Sequence, residues 1–395
     1  MRLKLSKLNH AIIAIILLEI FLGGSGRMIE IGSLTLRMYF FVFGLILSLI
    51  VLFYKKNISI NVVYIVSLSI LSISFSTLLG FINGASLELI ALDIKPLLFI
   101  FFIISAYTFI NTEKDILLIS KLLKFAAIVL SISYLIILYL LYFKHINFEQ
   151  FWLATYDYHE FFFRGEEGFF TYKGFIYMGI GFIFWERLSK PGFKKILSLG
   201  LLTVAIILTG TRGFLVVLGL IYFFYLVVPK LLKGNLIYLI GIIALVFLSV
   251  YFIGNTNLGD KAVSDMIRFS QLNEVVQEVN IFSLVVGHGF GNGVPSRPVH
   301  MEIAFLEIFH KQGLIGIILW LCLIAHIVIL YLNLNKHKKI AQPFILSTFF
   351  VLILSITNPY MNNPIGLTMI IITIIVLDKI KRNDINENIS LPSHI

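Results

Sequence analysis

The chain has 395 residues, 59% of them hydrophobic and 13% charged, with a mean hydropathy of +0.97 and a formal net charge of +10. A soluble domain carries about 25% charged residues, whereas apolar runs of about 20 residues, long enough to cross a bilayer, recur here from end to end. A soluble globular fold is excluded, and so is a β-barrel, whose strands of about 10 residues alternate in polarity. The expected class is an all-α, polytopic membrane protein. Nucleic acid is not the expected partner of the basic excess, because most Lys and Arg flank apolar runs and read as membrane orientation. Cys322 is the single cysteine, so neither an internal disulfide nor a cysteine metal site is expected.

Taken in order, the chain offers about twelve spans: residues 9–24, 34–54, 60–80, 90–110, 122–143, 168–186, 195–210, 213–229, 235–253, 313–333, 341–357 and 363–378. Residues 1–25 resemble a signal peptide, with Arg2, Lys4 and Lys7 before an apolar core, but further spans follow at once and it reads as a retained first span. Residues 1–382 form one transmembrane domain. External loops are expected at 144–168 and, before the tenth span, at 255–312; residues 383–395 read as a disordered cytoplasmic tail. With the N-terminus in the cytoplasm, roughly 20 of the 31 Lys and Arg fall on the cytoplasmic side, as the positive-inside rule requires, so both termini are placed there.

The remaining cations are Arg27, Arg37, Lys95, Lys144, Arg164, Lys173, Arg212, Lys261, Arg268, Arg297 and Lys311. Several sit at the mouth of a span or inside one, Lys95 among them. A charge near hydrocarbon costs a few kcal/mol unless it faces a polar cavity or a partner, so their convergence would make an anion site. The first outer loop is rich in aromatics and contains Asp157, His159, Glu160, Arg164, Glu166 and Glu167. That composition suits carbohydrate or an interfacial aromatic belt. In the second, Phe269, Leu272, Val276 and Val279 recur at spacings of three and four, which predicts an amphipathic helix lying on the membrane or on the other spans.

Residues 281–320 are where chemistry is expected: a long polar, glycine-rich loop on a chain whose loops are otherwise short. Its GHGFGNG run at 287–293 is not a dinucleotide fingerprint. Asn292 stands where that pattern needs glycine, Pro295 and Pro298 follow instead of a helix, and no Walker lysine is present. A flexible turn that lets backbone approach a ligand is the better reading. No metal site is expected. His288, His300 and His310 lack zinc spacing, and Glu307 with His310 lacks the partner helix of a di-iron site.

Three segments carry a family resemblance. ILTGTRGFLVVLGL at 207–220 resembles the Ser/Thr-Arg-Gly motif that opens a span in the O-antigen ligase and polymerase superfamily. Residues 266–293 resemble its stretch from a lone arginine through an amphipathic helix to Gly-x-Gly-x-Gly. HMEIAFLEIFHKQGLIGIILW at 300–320 resembles its histidine-containing helix ending in Gly-Leu-Ile-Gly. The resemblance covers about 200–320 and implies a GT-C-like glycosyltransferase at the periplasmic face of the bacterial inner membrane. Its donor and acceptor would be glycans on undecaprenyl pyrophosphate, with no cofactor and no divalent metal. The bilayer and a chain-length regulator protein would be its partners.

On that resemblance Arg212 and Arg268 match family positions and would grip pyrophosphate bidentately, as a metal does elsewhere. Lys173, Arg297, Arg164, Tyr172, Gly289 and Gly291 are substrate-binding candidates by location alone. His300 and Glu302 compete as the base that activates the acceptor hydroxyl. His300 has the family's residue type and Glu302 its spacing before Gly313. On one helix the two would lie about 200° apart; if the helix begins at Glu302, His300 sits in the freer preceding loop and is favoured. The stretch around FFFRGEEGFFTYKGFIYMG looks closer to polymerases. A ligase that moves the finished glycan to lipid A–core and a secondary transporter of an anionic sugar are the alternatives, the last disfavoured because polar groups gather at one face.

Overall fold

The computed structural model describes residues 2–32, 34–55, 58–163, 170–231 and 262–390. These residues are mostly helical, with two short hairpins, Glu30–Ile31 with Leu34–Thr35 and Phe161–Phe163 with Phe170–Tyr172. Among the described residues five helices are long and apolar enough to cross a membrane: Leu36–Tyr54, Ile60–Ile82, Leu87–Phe109, Glu113–Tyr142 and Ala304–Leu332. His10–Leu22 and Arg212–Val227 are shorter apolar helices. Further helices at Ile176–Leu188, Phe193–Leu208, Lys338–Leu354 and Pro364–Ser390 complete the bundle. The expected span at 235–253 lies outside the described residues.

Local chemistry sets the ends. Thr112 and Asp115 form a capping box ahead of Glu113–Tyr142, each side chain bonding the other's backbone N–H. Ser86 caps Leu87–Leu97 through the N–H of Leu89. Pro96 then removes a donor, and the chain tightens into a single 3-10 turn at Leu98–Phe101 before resuming at Phe102. The last helix is the centre of the bundle. Every residue from Ile365 to Asp378 is buried, as a helix that is apolar on all sides must be. Tyr177 Oη donates to the Ile365 carbonyl at 2.7 Å, and the Thr348 and Thr373 hydroxyls meet at 2.8 Å.

Two expectations need revision. The tail expected to be disordered is helical as far as Ser390. The helix Ala262–Glu278 forms where amphipathicity placed it, and Phe269, Leu272 and Val276 are exposed, as a row lying on the membrane would be. Its buried row is Gln271 and Val275, packed with Val294 and Met301. The three-and-four spacing is satisfied by either row, and the row facing the protein is the one that supplies a polar group to the loop beneath it. Lys95 is exposed, and the buried charge of its segment is Asp93.

Hydrogen bonds between connections sort the bundle into two ends. At one, Tyr172 Oη donates to the Leu22 carbonyl, Tyr134 Oη to the Leu208 carbonyl, and the Ala304 N–H to the Ser355 carbonyl. At the other, Asn61 meets Asp378, His10 meets Asp115, and Lys379 meets Asn111. The second end also carries the beginning of the first helix and the end of the last.

Candidate functional site

The Ala304–Leu332 helix is broken at Gly313, directly before its long apolar part. Gly313 has φ 63° and ψ −161°, a backbone open to glycine and strained for other residues. The break frees two carbonyls of the preceding turn, and the glycine loop takes them: the His288 N–H donates to the His310 carbonyl and the Gly289 N–H to the Lys311 carbonyl, both at 2.9 Å. The loop then threads between two more helices. The Phe290 N–H donates to the Ser76 carbonyl at 2.9 Å, and the Gly291 N–H to Asp93 Oδ2 at 2.8 Å. Gly289, at φ +82°, lies against Gly80, and a Cβ on Gly80 would run into the Phe290 carbonyl. The glycines let backbone cross backbone, and the amides of Gly289 and Gly291 are both engaged within the protein.

Below this crossing lies an ionic centre. Lys311 is 2% exposed; its Nζ stands 2.7 Å from Asp93 Oδ1 and 2.8 Å from Glu307 Oε1 and also meets the Val299 carbonyl. Asn362 Nδ2 donates to Glu307 Oε2 at 2.8 Å. Two carboxylates against one ammonium leave a net negative charge. The imidazole of His300 faces it, with Nδ1 at 3.3 Å from Glu307 Oε1 and a side chain 46% exposed. An Nδ1–H directed at Glu307 leaves Nε2 as the acceptor on the open side.

Beside it lies a second ionic group. Glu302 Oε2 pairs with Arg268 Nε at 3.1 Å, and Glu302 Oε1 accepts from Arg297 Nη2 at 3.2 Å. Arg268 Nη1 reaches Asp265 at 2.9 Å, and the Glu302 N–H donates to Gln271 Oε1 at 3.0 Å. Glu274 ties the loop to the same helix. The Ser296 N–H and the hydroxyls of Ser270 and Ser296 all donate to it, and they hold its carboxyl below the usual carboxylate range.

Of the residues singled out from sequence, His300, Glu302, Arg268, Arg297, Gly289 and Gly291 thus belong to one connected region. The helix after them begins at Ala304, so His300 and Glu302 both lie in the preceding loop and the helical-angle argument between them does not arise. Arg212 opens the Arg212–Tyr222 helix; the adjacent Gly213 packs on Leu354, next to the Ser355 carbonyl that receives the Ala304 N–H. Tyr172 and Lys173 form a separate group. Buried Glu160 accepts from the backbone N–H groups of Ser25 and Arg27, Tyr172 is tied to Leu22, and Lys173 Nζ lies 5.6 Å from the Phe162 ring centre. Arg164 lies outside the described residues. Sequence reasoning passed over Asp93, Asn362 and Gln271, and weighed Glu307 only as a metal ligand. Only a carboxylate inside an apolar run, as with Asp93, was there to signal them.

An apolar cavity of about 400 Å³ continues from this region along the bundle, lined by Gln312, Leu319, Trp320 and Leu323 on one side and Ile65, Leu68 and Ile73 on the other. Fold and site together define a polytopic helical membrane protein with a buried lysine–carboxylate centre at one end and an apolar recess beside it. No family model matches the chain. It is similar to an O-antigen polymerase of Shigella flexneri, with 28% identity over 391 residues, 98% of this chain and 99% of the relative. That likeness extends the resemblance seen at 200–320 to the whole chain and bears out the O-antigen polymerase superfamily as the one it resembles.

Proposed function

We propose that the protein is an O-antigen or related surface-polysaccharide polymerase, joining oligosaccharide repeats carried on undecaprenyl pyrophosphate at the outer face of the bacterial inner membrane. The full-length similarity to an O-antigen polymerase carries this reading. The ionic region supports it. In this reading both termini are cytoplasmic, the glycine-loop end faces the periplasm, and no metal takes part in the transfer.

Arg268 and Arg297 are the pyrophosphate-binding pair, with Arg212 completing it from the neighbouring helix. Glu302 holds two guanidinium groups in place, and the donor's pyrophosphate displaces it from them; planar forks suit such an exchange. His300 is the base. Glu307 orients its ring through Nδ1, and Nε2 takes the proton of the acceptor hydroxyl as the glycosidic bond to the carrier breaks. Lys311, braced by Asp93, fixes Glu307 and so acts as a positioning residue. The apolar cavity beside Gln312 suits a polyprenyl chain. If the transfer is a single displacement, the anomeric centre inverts.

The test is the glycan profile of a deletion strain complemented with variants at matched expression. The deletion leaves a single repeat on the core, and the unaltered chain restores long glycans. His300→Ala lowers turnover by about 10²- to 10⁴-fold. Long chains left on the lipid carrier in the deletion would mean a ligase, and unchanged glycans a transporter. Near-normal polymer from His300→Ala with loss in Glu302→Gln would move the base to Glu302.

A further inference from the structure

Two groups of acidic and histidine side chains on the glycine-loop side converge closely enough to hold a cation: Asp93 with His300 and Glu307, and Glu278 with His288 and His310. The first already contains one, the Lys311 ammonium, within 2.8 Å of both carboxylates. The second contains none among the described residues. Its three members come from three elements: Glu278 from the end of the Ala262–Glu278 helix, His288 from the glycine loop, and His310 from the turn before the Gly313 break.

His310 is the unusual member. Its side chain is 1% exposed, and among the described residues neither ring nitrogen has a hydrogen-bond partner. Burying a polar group without a partner costs about 1–3 kcal/mol. His288 Nε2 is in the same condition. The two rings stack with centroids 4.5 Å apart and planes at 29°, and the His288 N–H bond to the His310 carbonyl holds their backbones together whatever the rings do. Glu278 Oε2 lies 3.6 Å from His310 Nε2, too far for a hydrogen bond, and one ligand atom from each of the three residues lies within 4.8 Å of the others. Tetrahedral zinc with bonds of about 2.0–2.2 Å separates its ligand atoms by roughly 3.3–3.6 Å. The Glu278–His310 separation already matches, and Glu278 is 39% exposed and able to move.

We propose that Glu278, His288 and His310 bind a divalent metal ion of the zinc class, which clasps the arginine-bearing external helix to the glycine loop and the broken span. Two imidazoles and one carboxylate are the donor set this metal class takes, with a fourth position left for water. The ion sits away from His300 and takes no part in glycosyl transfer. It fixes the helix that carries Arg268, and the proposal stands whether or not the chain is a polymerase.

Sequence reasoning missed this site because His288 and His310 are far apart along the chain and match no zinc spacing; the break at Gly313 brings them together.

The test uses the full chain in detergent, stripped with a chelator and titrated with zinc while bound metal is measured by mass spectrometry. One equivalent is expected. His288→Asn and Glu278→Gln each weaken binding by about 100-fold or more, since even a ligand's hydrogen-bond partner is worth about 10- to 100-fold. His337→Asn, in the connection ahead of Lys338, leaves it unchanged. A second measurement needs no variant: zinc protects His288 of the unaltered chain from diethyl pyrocarbonate, read by peptide mass. Absence of an equivalent of bound zinc, binding indifferent to both substitutions, or His288 modified equally with and without zinc would each overturn the proposal.

Discussion

The two ends of the bundle use the same residue types in opposite ways. At the end that carries the start of the first helix and the end of the last, cations pair at half-exposed positions or stack on aromatic rings. Arg382 is 38% exposed in its pair with Asp378, Lys379 lies over Tyr107 at 4.0 Å, and Arg187, 14% exposed, lies over Tyr225 at 4.0 Å. Such contacts are individually weak, and their charge is what orients a membrane protein. At the glycine-loop end two cations are buried within networks. Lys311 lies between two carboxylates, and Arg37 is 4% exposed, with Nε 3.0 Å from Glu19 and Nη1 2.6 Å from the Gly24 carbonyl. A basic count therefore mixes charges that flank helix ends with charges held inside a buried network.

The contrast between the two ends is largest at Lys311. Lys311→Met leaves Asp93 and Glu307 buried without their cation, which costs about 3–5 kcal/mol; thermal unfolding in detergent should show a clear loss of stability together with loss of polymer. A melting temperature equal to that of the unaltered chain would mean that the centre contributes nothing to the fold. Next in size, Arg268→Lys and Arg212→Lys keep charge but lose the planar fork, and polymer yield should fall by about tenfold or more at unchanged expression. Full glycan length in either variant would remove the bidentate role from that residue. Glu302→Gln sharpens the division of labour within the site. It releases two guanidinium groups from a competing carboxylate, so the donor KM should fall while kcat stays within about tenfold; a collapse of kcat would make Glu302 the base. The smallest effect belongs to the opposite end, where Lys379→Ala, which removes a cation lying over Tyr107, should change stability by about 1 kcal/mol or less and leave polymer length alone. A loss comparable to that of Lys311→Met would erase the distinction between the ends.

Much of the fold was legible. Apolar runs near bilayer length announced helices near 34–54, 60–80 and 90–110, and periodic spacing announced the helix at Ala262–Glu278; each stands close to where it was expected. The site was legible in part. His300, Glu302, Arg268 and Arg297 were named from one loop and its neighbouring helix, where residues close in sequence stay close in space. Asp93 was not, because its partners Lys311 and Gly291 are some 200 residues away and Lys95, two positions along, is the more conspicuous charge. The glycine run was read as room for a ligand; its amides instead close a crossing of protein backbone. A positive-φ requirement is written into glycine, but its neighbour is not.

Hydrophobic length, helical period and polarity are properties of contiguous residues, so the class, most helices and the long polar loop could be read from the chain order alone. Which charges are buried together could not, because a buried ion is tolerated through partners that arrive from distant helices. The fold also sets Gly313, the first residue of the tenth expected span, as a break inside a helix that begins earlier, at Ala304. That break turns the His310 and Lys311 carbonyls toward the glycine loop, and so brings His288 to His310 and anchors the loop that carries His300.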